Sequence, residues 1–220
     1  QWVLGGFWLQ CDTAVDFEGM AGMRLREYMG WDGENQHYVN LAVGNTGDAS
    51  LSNVHLGDGE MVVFMNWVRD GKPEIERART KFTADHMDFS ISFLRSSGGA
   101  DDAVNGVMTK VAKVDMPPLS AAKGMFPAGP EMAKIGRMAG TFEGAGEMIM
   151  APGTPAMKIK GRDIGTALFD GHIVMVQTTG TSDMGSYEAH GFYAWSAGSK
   201  CYKALSIDNM GMICAMDGYL

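Results

Sequence analysis

The sequence predicts an all-β protein made of two related antiparallel barrel-like units, and three observations carry that expectation. The first is an internal repeat. Residues 22–47 align without a gap on residues 186–211 when 164 is added to each number. Trp31 then falls on Trp195, Tyr38 on Tyr202, Leu41 on Leu205, Asn45 on Asn209 and Gly47 on Gly211. Self-similarity of this kind marks a copied supersecondary unit. The second is composition: thirty glycines, 45% hydrophobic and 20% charged residues suit short strands joined by many turns. The third is alternation. Met87, Phe89, Ile91 and Phe93 take one face while Asp88, Ser90 and Ser92 take the other, the period of a half-buried strand.

In chain order, residues 2–17 read as an apolar strand interrupted at Gly5-Gly6, where strands bend or bulge. The first repeat copy follows as a hairpin turning at Asp32-Gly33-Glu34-Asn35. Residues 49–55 come next, then a turn at Gly57-Asp58-Gly59 and the apolar run 61–68. Asp70-Gly71 is a strong hairpin signal. A charged strand (74–83), the alternating strand (87–93), a loop (96–102) and a further strand (104–114) complete this half. Residues 115–130 carry four of the seven prolines and predict a linker with at most a helical turn at 120–123.

Residues 131–139 predict a short helix. Pro130 and Glu131 suit its first turn, Met132, Ile135 and Met138 share one side, and Gly140 ends it. Strands resume at 141–150, 157–169 and 172–179, and the second repeat copy turns at Ser196-Ala197-Gly198-Ser199. The expected division is residues 1–115 for the first unit, 116–130 for the linker and 131–220 for the second unit. Leu4-Gly5-Gly6-Phe7 corresponds to Phe169-Asp170-Gly171-His172. On that basis the first unit lacks an opening helix and two strands, and the second lacks the closing four.

Some function classes are disfavoured by composition. The net charge of −8 is spread along the chain, whereas nucleic acid and anionic membranes call for basic stripes. The longest apolar run falls far short of the ~20 residues of a membrane helix. The chain opens at Gln1 with no visible signal peptide, which reads as a processed product or an incomplete piece. Localisation stays open between the cytoplasm and a secreted or periplasmic compartment.

Cys11, Cys201 and Cys214 form no CxxC pair, which argues against zinc. Cys201 and Cys214 lie on adjacent arms but out of register, so two buried thiols are favoured over a disulfide. His37, His55, His86, His172 and His190 are scattered singly, without the spacing of a metal motif. No catalytic constellation, metal or cofactor is expected. The Gly-rich stretches lack the Gly-Lys-Ser/Thr ending of a phosphate loop.

The helix Met132-Ala133-Lys134-Ile135 and the following Ala139-Gly140-Thr141-Phe142-Glu143-Gly144 resemble the opening of a bacterial family, domain of unknown function 1579. Leu4-Gly5-Gly6 matches that family's Leu-Gly-Gly motif. Gly30-Trp31-Asp32 with Tyr38, and Ala194-Trp195-Ser196 with Tyr202, match its turn before an aromatic strand. Phe142 stands where the family usually has Trp, and Phe169-Asp170-Gly171 has lost a glycine. The resemblance implies a lipocalin-like antiparallel barrel in two partial tandem copies, with no established activity.

Binding residues are sought in a barrel interior. Trp8, Trp31, Trp67, Phe89 and Trp195, with the nineteen methionines, either fill a core or line a cavity for a small apolar molecule. Arg77 and Arg79 share one face of their strand with Lys81, opposite Glu74 and Glu76. They either hold a carboxylate or phosphate or make cross-strand ion pairs on a solvated face. The leading expectation is a non-enzymatic barrel that binds a lipophilic small molecule. The alternative is a self-assembling protein, a homo-oligomer or filament, whose exposed sheet edges pair with neighbouring subunits.

Overall fold

The computed structural model describes residues 1–16, 22–69, 72–95, 97–111, 116–149 and 151–219, apart from the side chains of 67–69. The chain is mostly strand, arranged as two antiparallel sheets with one short helix. The first sheet is a nine-stranded meander: β1 (Trp2–Val3), β2 (Trp8–Val15), β3 (Met23–Asp32), β4 (His37–Gly44), β5 (Ala49–Gly57), β6 (Glu60–Arg69), β7 (Lys72–Phe82), β8 (His86–Arg95) and β9 (Gly99–Thr109). After a 3-10 turn at Leu119–Ala121 come α1 (Met132–Ile135) and a second 3-10 turn, Gly136–Met138. The second sheet has six strands: β10 (Gly140–Met148), β11 (Met157–Leu168), β12 (Ile173–Ser182), β13 (Gly185–Ser196), β14 (Cys201–Asp208) and β15 (Ile213–Gly218).

The expected loop at 96–102 is shorter than its sequence suggests, because β9 already pairs with β8 from Gly99 opposite Arg95. The Asp70-Gly71 turn lies outside the described residues, but its flanks meet as a tight hairpin requires, Arg69 opposite Lys72. Phe17, Met150 and residues 112–114 of the expected strands also lie outside them. The cysteines are free, and Cys214 is exposed where a buried thiol was expected. It lies opposite Ser206 of β14, in the strand that ends the second sheet among the described residues.

The repeat extends to backbone detail. Leu4, Gly5 and Gly6 have φ of +50°, +69° and +89°, and Phe169, Asp170 and Gly171 have +54°, +55° and +87°. A left-handed conformation costs a large residue roughly 1–2 kcal/mol. Leu4 and Phe169 are both buried in the core, which returns about as much. In both hairpins the loop closes through a left-handed residue, Gln36 or Lys200. Asp32 Oδ1 accepts the Glu34 and Asn35 amides at 3.0 Å, and Ser196 Oγ accepts the Ser199 amide at 3.3 Å.

Asn45 and Asn209 clamp the start of the preceding strand in the same way. Asn45 Oδ1 accepts the Arg24 amide and its Nδ2 donates to the Gly22 carbonyl, both at 2.9 Å. Asn209 does the same to Glu188 and Ser186 at 3.1 and 3.3 Å. Asn45 is fully buried and also donates to the Lys123 carbonyl of the linker at 3.0 Å. Losing a buried hydrogen-bonding side chain strands its partners at about 1–3 kcal/mol. Asn45→Ala is therefore expected to destabilise by about 2–3 kcal/mol and Asn209→Ala by about 1, measured as urea unfolding free energies. Equal losses would contradict the extra linker contact.

The two sheets share one core. Trp8, Tyr28, Val39, Leu41 and Val43 pack with Phe169, Ile173, Met175, Phe192, Leu205 and Ile207, and Leu119 of the linker joins them. The contact has an approximate twofold relation. Tyr28 and Phe192 are repeat equivalents, and their rings meet at 5.5 Å. A Cβ on Gly47 would lie 2.8 Å from His172 Nδ1, and one on Gly211 would lie 2.9 Å from the Phe7 ring. Phe7 and His172 are themselves equivalents. Each unit thus presents the same patch to the other, the geometry of an isologous dimer within one chain.

Candidate functional site

Pairing register assigns every strand of the first sheet a face toward the shared core and a face away from it. Leu9 sits opposite Met29, Met29 opposite Asn40, and Asn40 opposite Ser52. Cys11 sits opposite Glu27. Val54 is opposite Val63, Val63 opposite Ala78, and Ala78 opposite Ile91. Paired residues share a face, so all of these line the side turned away from the second sheet. Asn40, Ser52, Val54 and Val63 are nevertheless buried, as they would be on the inner side of a curled sheet, and one of the two sheets is a curled half-barrel.

A polar cluster lies inside this curl. Asn40 Nδ2 donates to Glu27 Oε1 at 2.9 Å, which orients the amide. Thr13 Oγ1 lies 3.5 Å from Glu27 Oε2. Asn40 is 6% exposed, and its Oδ1 has no hydrogen-bond partner. A buried acceptor left open costs about 1–3 kcal/mol, so it is the sort of group a bound donor would complete. Desolvation, and next the Glu27 charge, raise the Cys11 thiol above its usual range, so it remains protonated and non-nucleophilic near neutral pH. Met29, Val54 and Val63 supply apolar surface beside the cluster.

Of the residues expected to bind, Trp8 lies in the core between the sheets and donates its indole N–H to the Asp208 carbonyl at 2.9 Å. Trp31 is on the curled face but at its exposed end, edge-on to Tyr38 at 4.9 Å. Phe89 is on the same face, over Gly106, where a Cβ would come within 2.8 Å of its ring. Trp67 lies opposite Glu74 in β6, and its side chain is outside the described residues. Arg77 and Arg79 stand on the opposite face. Arg79 makes a double contact with Glu60 at 2.8 and 3.0 Å, which lowers the Glu60 carboxyl below its usual range. Trp195 belongs to the second sheet and packs beside α1. The structure thus gathers Trp31 and Phe89 on one face of the first sheet and places Trp8, Arg77, Arg79 and Trp195 elsewhere.

Glu27, Asn40 and Ser52 were not singled out from the sequence. Their signal was faint: Asn40 is a polar residue inside the apolar run Val39-Asn40-Leu41-Ala42-Val43, and its repeat equivalent is Ala204. The Glu27 position holds Gly191 in the second copy. One unit therefore carries the polar pair and the other does not. Two open grooves of about 570 and 650 Å³ lie across β10, β11 and β12, lined by charged side chains including Glu147, Lys158, Lys160 and Arg162. Among the described residues no cluster of His, Cys, Asp or Glu has the makings of a metal site. Among the described residues no helix is long and apolar enough to cross a membrane.

The fold and this site define a class: an open tandem β-protein with a curled sheet whose face away from the shared core mixes apolar side chains with polar ones, the Glu27–Asn40 pair among them. No family model, curated protein or solved structure matches the chain.

Proposed function

We propose that the protein is a non-catalytic binding protein of the lipocalin-like type that holds a small amphipathic molecule in the curl of the nine-stranded sheet. The observation that carries this reading is the unpartnered Asn40 Oδ1, 94% buried by difference from its 6% exposure, beside the Glu27 carboxylate. Two acceptors side by side suit a ligand with an N–H donor head. Met29, Val54 and Val63 suit its apolar body. The resemblance to the domain of unknown function 1579 family supports the same fold-level reading without adding an activity.

The test is calorimetric titration with dodecylamine, dodecanol and laurate. Dodecylamine is expected to bind best, and Glu27→Gln to weaken it at least ~10-fold, since a charged hydrogen bond is worth about 1.5–3 kcal/mol; because Glu27 also accepts from Asn40, the variant's urea midpoint is measured to confirm that it stays folded under the titration conditions. Equal binding of all three, or no binding with no small molecule in a solvent extract of the purified protein, would sink the reading.

A second reading, assembly through sheet edges, is favoured by β10, all nine of whose residues are exposed. An open edge of that length invites pairing with another chain. It predicts concentration-dependent mass in size-exclusion chromatography, and a monodisperse monomer at high concentration ends it.

A further inference from the structure

The sequence leaves two roles open for the arginines of β7, holding an anion or making a cross-strand ion pair. Arg77 and Arg79 share one face of the strand with Ile75 and Lys81. Arg79 takes the ion pair, its Nε and Nη2 donating to Glu60 Oε1 and Oε2 at 3.0 and 2.8 Å. Arg77 does not. Among the described residues it has neither an ion pair nor a hydrogen-bond acceptor, and its Nε is buried without a partner.

Pairing register names what stands around Arg77. Phe64 of β6 and Ser92 of β8 lie directly opposite it. Val62 and Ser90 lie opposite Arg79, and Asn66 and Leu94 opposite Ile75, so all of these share its face. His55 meets the Phe64 ring edge-on at 5.8 Å. The carboxylates on this side have other partners. Glu60 is held by Arg79, and Asp102 Oδ1 accepts from Ser92 Oγ at 3.1 Å. Asp88 stands opposite Lys81 and 3.7 Å from His86 Nε2. Glu74 and Glu76 alternate onto the other face of β7. Among the described residues the shared core takes nothing from β6, β7 or β8.

Arg77 is only partly buried, and its Nη1 and Nη2 reach solvent while Nε does not. The covered stem and Nε hold the plane of the guanidinium, and the two outer nitrogens form an open fork. Such a fork matches the two oxygens of a carboxylate. A cation with no counter-ion, set against a low-dielectric surface, keeps its full attraction for an anion. A dianionic phosphate suits the place less well. It calls for a second cation, and Arg79 is already engaged by Glu60. On one side of Arg77 the face is apolar: Ile75 is 42% exposed, and Leu94 and Phe64 are partly exposed.

We propose that Arg77 anchors a binding site for a small monocarboxylate with an apolar body. The carboxylate accepts from Nη1 and Nη2 of Arg77, and the apolar body lies along Phe64, Ile75 and Leu94. In the other direction, toward Arg79, Glu60 and Ser90, the face is polar and charged. The face therefore sets the orientation of the ligand as well as its charge. This site lies on the opposite face of the first sheet from Glu27 and Asn40 and selects the opposite charge, so it stands without the amine-binding reading.

The experiment titrates the intact chain with cinnamate by calorimetry, with cinnamyl alcohol and inorganic phosphate as comparators, and follows the arginine Nε–H signals by nuclear magnetic resonance. The expected result is a one-to-one complex that moves the Nε–H signal which Arg77→Lys removes. The alcohol and phosphate should bind at least ~10-fold more weakly than cinnamate. Arg77→Gln should weaken cinnamate at least ~10-fold, the effect of losing a charged hydrogen bond. Arg77→Lys should weaken it less, since it keeps the charge and loses the fork. Ile75→Ser, at an exposed position, should cost about 3-fold through lost apolar contact. Circular dichroism and urea midpoints check that the variants remain folded, and the Nε–H signal reads the site in the parent chain whether or not they do. No complex at millimolar cinnamate overturns the proposal. So does a complex that leaves the Arg77 signal in place, or one indifferent to Arg77→Gln. Cinnamyl alcohol binding as tightly as cinnamate would overturn it by removing the role of charge, and phosphate binding more tightly would do so by assigning the fork to another anion.

Discussion

Trp8→Ala is expected to lower stability by about 3–5 kcal/mol, the usual loss for an aromatic side chain removed from a core. Trp8 is fully buried, and its ring fills the space that Gly30 leaves, where a Cβ would come within 2.4 Å of Cε3. Its indole N–H bonds the Asp208 carbonyl at 2.9 Å, so one side chain ties the first sheet to the second. Trp8→Phe should restore most of the packing and lose about 1 kcal/mol for the hydrogen bond. Urea unfolding followed by far-ultraviolet dichroism checks both values. Because the core is common to both sheets, they should also unfold in one transition. A loss below about 1 kcal/mol for Trp8→Ala, or two separate transitions in the parent chain, would show that the sheets do not depend on each other.

Acid is expected to weaken this same contact through His190. Its imidazole meets Tyr28 edge-on at 5.6 Å, and its Nδ1 lies 3.2 Å from the Tyr28 hydroxyl. Burial, followed by the positive charge of Arg26, pushes its pKa down to about 4 from an ordinary 6.5. Burial likewise pushes Tyr28 up to about 12, so a neutral hydroxyl and a neutral imidazole share this hydrogen bond. The sign follows from linkage. Between pH 6.5 and about 4 the unfolded chain binds a proton that the folded chain refuses. Stability is full above pH 6.5 and declines as pH falls toward 4.

A shift of this size would correspond to about 3 kcal/mol, and partial solvent exposure of the ring reduces it to roughly 1–2 kcal/mol. Comparing urea midpoints at pH 7 and pH 4.5 for the parent and His190→Gln measures it. The parent should lose distinctly more on acidification than the variant. An equal loss in both would place the acid sensitivity elsewhere, among carboxylates such as Asp32, which Asn35 holds below its usual range.

Much of the fold was legible because its signals are local. The hairpin turns at Asp32 and Ser196, the break at Gly5-Gly6 and the helical turn beginning at Met132 each depend on residues a few positions apart, although the helix expected over 131–139 is an α turn at Met132–Ile135 followed by a 3-10 turn at Gly136–Met138. The repeat itself needed only Trp31, Tyr38 and Asn45 to be seen twice. The site was less legible. Trp8, Trp31 and Trp195 look alike in sequence, yet one fills the core, one stands exposed and one packs beside the helix. Arg77 and Arg79 were rightly placed together on one face of β7, with Glu74 and Glu76 on the other, but nothing nearby in the chain says which face the sheet curls around.

The amino-acid order by itself therefore determined most of the strands and the hairpin turns that join them, since alternation and turn chemistry are properties of short segments. Only the tertiary structure decided which face meets which. Val39, Leu41 and Val43 alternate with Tyr38, Asn40 and Ala42, and both sets are apolar enough to be buried. The choice was made by the complementary patch some 160 residues away in the second copy, around Phe192 and Leu205. Burying one face against that patch left the other, with Asn40 and Glu27, to line the curl.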